Sequence, residues 1–113
     1  MQILKTKIIK SKLADCQNVF DGPMVKGVVD INRRLLAIDA PMHADLEQLL
    51  LGDGSSQDDL WGINLYFEDA DEDFVEFDSM INIRPRQNNR SRSVESPETR
   101  AKIIEVVNEW MVG

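Results

Sequence analysis

A single cysteine, Cys16, and a single histidine, His43, occur in the 113 residues. One thiol cannot close an intramolecular disulfide, and a cysteine-based zinc site needs several more thiolates. No segment approaches the roughly 20 consecutive apolar residues of a membrane-spanning helix. The opening "MQILKTKIIKSKL" carries lysines where a signal peptide needs an apolar core. A soluble cytoplasmic protein is the expectation. Nucleotide motifs are missing too, since "GDGSS" at 52–56 lacks the Gly-Lys-Ser/Thr ending of a phosphate-binding loop. "DADEDF" at 69–74 opens like a calcium loop, but Phe74 stands where glycine is required and Met80 where glutamate is required. No cofactor and no metal are expected.

Positive charge is in short supply. Thirteen basic residues face twenty acidic ones, a net charge of −7, so phosphate backbones and anionic membrane surfaces are repelled at long range. Nucleic acid is not expected as a partner on that ground. Four of the thirteen cations nevertheless fall in one acid-free stretch, "INIRPRQNNRSRS", Ile81 to Ser93, together with three asparagines.

The rest of the chain reads as one α+β domain spanning residues 1–113. Residues 2–9 are β-branched and extended in character, and "SKLADCQNVF" sets Leu13, Cys16 and Phe20 at helical spacing. "MVKGVVDI" and "RLLAIDA" predict a hairpin around Asn32, and Met42, Leu46, Leu49 and Leu50 predict a helix after Pro41. "LWGINLYF" and "FVEFDSMINIR" alternate with period two and predict a second hairpin. The chosen register sets Phe67 opposite Val75, Leu65 opposite Phe77, Ile63 opposite Ser79 and Trp61 opposite Ile81 on the core face. Its other face is polar, with Tyr66 opposite Glu76, Asn64 opposite Asp78, Leu60 opposite Asn82 and Asp58 opposite Arg84. Ser96 and Pro97 open a terminal helix with Ile103, Val106, Val107, Trp110 and Met111 on one face. The order β-α-ββ-α-ββ-α predicts a mostly antiparallel sheet with helices packed against it.

Proline at 85 ends the last strand, so the arginine-rich segment is expected to be a loop. Forked guanidinium donors and turn-tolerant amides suit a small anion, which makes Asn82, Arg84, Asn89 and Arg90, with His43, the candidate ligand-binding residues. Convergence of these side chains in a concave pocket is the expectation. In the competing structural reading the arginines bond to carboxylates such as Asp58 and to backbone carbonyls. His43 opens a helix with Asp45 two positions on, too close in sequence to face it as an orienting partner. A binding module for a small anionic ligand leads; the alternatives are a subunit that meets a protein partner or a second copy of itself, and a small enzyme using His43.

His43-Ala-Asp45, Asp59-Leu-Trp-Gly62, Ile81-Asn-Ile-Arg-Pro85 and Asn89-Arg-Ser91 together resemble a small prokaryotic family of about one hundred residues, a domain of unknown function. The resemblance covers nearly the whole chain. Asn88 stands where that pattern more often has glycine. The resemblance implies no activity, substrate or cofactor.

Overall fold

Val25 and Val29 alternate with Val28 along one strand, and that alternation builds two cores, one on each face of a sheet. The computed structural model describes all residues 1–113. Its strands are β1 (Gln2–Ile3), β2 (Ile8–Ile9), β3 (Met24–Asp30), β4 (Leu35–Ile38), β5 (Leu60–Tyr66), β6 (Val75–Glu76) and β7 (Met111–Val112). The helices are α1 (His43–Gly52) and α2 (Pro97–Trp110), supplemented by short 3-10 turns. The main sheet is antiparallel throughout, in the order β1-β4-β3-β5-β6, while β2 and β7 form a small parallel pair. The α+β architecture expected from the sequence is the one observed. No helix is long and apolar enough to cross a membrane.

One face of the sheet carries α2, whose Ile103, Val106 and Val107 meet Val25, Val29, Leu36, Ile38, Trp61, Ile63 and Leu65. The other carries α1, whose Leu46 and Leu50 meet Val28, Ala37 and Leu60. Each of these fully buried leucines contributes about 1.5–3 kcal/mol. Ser96 caps α2 by accepting the Thr99 N–H. The buried face of α1 runs through His43, Leu46, Glu47 and Leu50, not through Met42, which lies outside the helix at its N-cap and is 60% exposed.

Three local expectations are corrected. The helix expected over 11–20 is a 3-10 turn, Lys10–Asp15, followed by extended chain. Asp39 explains the break, because its carboxylate accepts the backbone N–H groups of Gln17 and Asn18, donors that a continuing helix would need, and the Asn18 side-chain amide as well. Burial alone would raise the Asp39 pKa, but these three donors lower it overall. Residues 2–9 split into β1 and β2, which belong to different sheets. In the second hairpin Leu65 pairs with Val75 and Asn64 with Glu76, a two-residue slip from the expected register. A slip of two preserves side-chain faces, so Trp61, Ile63 and Leu65 still point into the core. The partner strand ends at Glu76, and the chain beyond it turns into a 3-10 turn at Met80–Asn82.

Candidate functional site

Because β6 is two residues long, the Leu60–Gly62 part of β5 is paired with β3 on one side and has no strand on the other, where side chains take the place of one. Asn82, fully buried, donates to the Gly62 carbonyl at 3.0 Å and accepts the Gly62 N–H at 2.8 Å, as a peptide unit of an adjacent strand would. Its amide also donates to the Arg92 carbonyl. Arg84 donates to the carbonyls of Gln57 and Leu60, and its guanidinium lies over the Trp61 ring at 4.2 Å. Burial lowers the Arg84 pKa against the pull of Glu47 and Asp58. Backbone groups left unpaired in the interior cost about 1–3 kcal/mol each, which is why they claim these forked donors.

His43 serves β5 as well. Its Nε2 lies 2.8 Å from the Ile63 carbonyl, and since a carbonyl can only accept, Nε2 carries the proton. Asp45 accepts the Met42 N–H and caps the helix instead of orienting the imidazole. Burial depresses the His43 pKa below its usual value. In the unfolded chain the ring protonates near pH 6.5, before the folded one does, so stability is complete above that pH and declines as the pH falls toward the folded pKa. Urea midpoints measured between pH 7.5 and about 5 should fall for the wild type and fall less for His43→Gln.

The arginine-rich segment closes on itself. Arg84 and Asn89 exchange backbone hydrogen bonds around a 3-10 turn at Pro85–Gln87, and Asn88 sits at φ 60° in the left-handed region, where glycine is easiest and asparagine next. The Asn89 amide donates to the carbonyls of Asn82, Ser91 and Ser93, and its oxygen accepts the Glu95 N–H. The loop does hold an anion, its own: the Glu95 carboxylate accepts the N–H groups of Arg90 and Ser91, which lower its pKa. Arg86 pairs with Asp58 and Arg92 with Asp78. The guanidinium of Arg90 faces solvent.

The expected pocket of Asn82, Arg84, Asn89 and Arg90 therefore does not form. Asn82, Arg84 and Asn89 are neighbours, but they bond to backbone groups; Arg90 points outward, and His43 serves the Ile63 carbonyl. A cleft of about 430 Å³ does adjoin the loop, between Trp61, the Gln87–Asn89 turn and the Glu95–Thr99 start of α2. Of the five candidates only Asn89 lines it. Two atoms in its lining residues are buried and unpaired, the Trp61 Nε1 donor and the Gln87 Oε1 acceptor. The amide of Gln87 is oriented without ambiguity, because its Nε2 donates to the Asp58 carbonyl at 3.1 Å. A larger cleft of about 550 Å³ beside Lys10, Phe74, Phe77 and Ile104 has no unpaired buried polar atom, and Lys10 is already paired with Asp71.

Sequence reasoning missed Trp61, Gln87 and Glu95. Trp61 shares the core alternation of β5, so nothing in the pattern separates its apolar ring from its unpaired N–H. Glu95 lies in "SVESPE", which carries no ligand signature. Cys16 stays outside the site, its thiol pushed up to about 11 by burial and Asp39.

Fold and cleft define a small α+β domain with a cleft between β5, the arginine-rich loop and the start of α2. A family model described as "Protein of unknown function (DUF5674)" matches residues 2–110, and the chain belongs to that family. No curated protein and no solved structure matches it.

Proposed function

We propose that this protein is a binding module for a small polar molecule, held in the cleft between Trp61, the Gln87–Asn89 turn and the start of α2. One observation carries the reading: Trp61 Nε1 and Gln87 Oε1, both buried, have no hydrogen-bond partner and belong to residues lining the same cleft. An unpaired buried donor or acceptor costs about 1–3 kcal/mol, and a ligand that pairs both recovers it. The small anion expected from the loop's composition must first displace Glu95 from the N–H groups of Arg90 and Ser91. A ligand in the adjoining cleft need not. The lone Cys16 thiol suits the reducing cytoplasm of a prokaryotic cell, the setting this reading assigns. The competing interaction reading keeps Arg90 as its exposed anchor, and an enzyme using His43 would need a ring free to exchange protons, whereas Nε2 is engaged.

The test is a thermal-shift screen of small polar compounds on the wild type and on Thr99→Tyr, which fills the cleft from a half-buried position on α2. A native-state ligand at a hundred times its dissociation constant adds about 2.7 kcal/mol of stability. The expected result is a compound that raises the wild-type melting temperature by several degrees and leaves Thr99→Tyr unchanged. Equal shifts in both proteins would move the site elsewhere.

A further inference from the structure

We infer that the cleft recognises a primary carboxamide, a deepening that rests on the binding-module reading. An indole N–H can only donate and Gln87 Oε1 can only accept, so a ligand that pairs both must present an acceptor and a donor. A primary amide does so in one planar group: its carbonyl takes the Trp61 N–H and its NH₂ gives a hydrogen to Gln87. A carboxylate satisfies Trp61 but turns lone pairs toward Gln87 Oε1, in a cleft that the acidic Glu95 also lines. An ammonium satisfies Gln87 and leaves Trp61 unpaired. No cationic side chain lines the cleft, so charge does not select an anion there. Arg84 Nε is a third buried, unpaired donor, on a guanidinium stacked over the Trp61 ring. Three of the chain's four such atoms thus gather in this corner. At about 430 Å³ the cleft falls within the range that encloses small ligands. A free amide metabolite and an amide carried on a peptide share this chemistry.

Trp61 reports on its own occupancy. The chain has two tryptophans, and the indole of Trp110 already donates to the Arg34 carbonyl at 2.9 Å, so a ¹H–¹⁵N spectrum contains one indole signal at the site and one internal control. Acetamide is expected to shift the Trp61 signal saturably and leave Trp110 in place. N,N-Dimethylacetamide, which keeps the acceptor and lacks the donor, should need at least a tenfold higher concentration, and acetate and 2-propanol should not compete. Gln87→Leu, which removes the acceptor at a half-buried position, should weaken acetamide at least tenfold while the signal dispersion of the fold is retained. Free glutamine and a glutamine-containing tripeptide then separate the two sources, the tighter binder naming the one recognised. If acetate or 2-propanol shifts Trp61 as readily as acetamide, or if dimethylacetamide binds equally well, the cleft remains a site and the carboxamide assignment is overturned. If none of the compounds shifts Trp61, the assignment and the binding-module reading fall together.

Discussion

Gly62→Ala is expected to lower the free energy of unfolding by about 3 kcal/mol, seen as a lower urea midpoint at unchanged slope. A Cβ on residue 62 would stand 2.5 Å from the Ser79 Cβ, 2.6 Å from its Oγ and 3.1 Å from the Ile81 Cγ1. Ser79 cannot step aside cheaply, being 1% exposed and tied through its N–H to the Arg92 carbonyl. The clash pushes the 79–82 segment off β5 and strains the two hydrogen bonds by which Asn82 pairs Gly62. Overpacking costs about 1–3 kcal/mol, and each buried polar group left unpaired costs about as much again. Backbone strain is not the cause, because Gly62 is absent from the left-handed region. Gly52→Ala is the matched control: nothing lies within 4 Å of its added Cβ, and its midpoint should be unchanged or slightly raised. Adding Ser79→Gly to Gly62→Ala removes the clashing atoms and should recover part of the loss. Strictly additive effects of the two changes would disprove the steric account.

The same segment shows what the sequence makes legible. Period-two alternation placed Trp61, Ile63 and Leu65 on the core face, and a register slip of two left that placement intact. The terminal helix followed from Ser96, Pro97 and the apolar spacing behind them, all of it local information. What "INIRPRQNN" concealed is that its polar side chains act as a strand. Period-two alternation in "FVEFDSMINIR" predicted one continuous hairpin strand ending at Pro85, whereas the chain turns after Glu76 and lends Asn82 and Arg84 to β5 through their side chains. A hydrogen bond from a side chain to a distant backbone carbonyl leaves no periodic trace. Of the candidate residues, Asn82, Arg84 and Asn89 lie together and satisfy buried backbone, while Arg90 faces solvent and His43 serves the Ile63 carbonyl. Two of the unpaired atoms in that corner belong to residues that looked ordinary, Trp61 inside an apolar strand and Gln87 in a turn.

Asn89→Ala and Arg90→Ala, adjacent in sequence, are expected to differ in cost by about 3 kcal/mol. Asn89 is 3% exposed and makes four hydrogen bonds, three from its amide to carbonyls and one from the Glu95 N–H to its oxygen. Truncation strands those four backbone groups, of which the Asn82 carbonyl lies deepest, and frees the segment that sets Glu95 against the loop. Arg90 contributes its backbone N–H to Glu95, which alanine keeps, and its exposed guanidinium has no partner to lose. Arg90→Ala should thus stay within about 0.5 kcal/mol of wild type, the usual range for an exposed position. Equal losses in the two variants would mean that the guanidinium, not the Asn89 amide, organises the loop. Asn89→Asp sharpens the point because it preserves shape and removes only donors. At neutral pH an ionised carboxyl facing three carbonyls is unfavourable, so its folded pKa is raised above the unfolded value and the folded state binds the extra proton. Stability of this variant should therefore rise as the pH falls through that raised pKa, opposite in sign to the acid loss from His43. A variant that weakens monotonically on acidification, as the wild type does, would show that Asn89 is held by its oxygen alone.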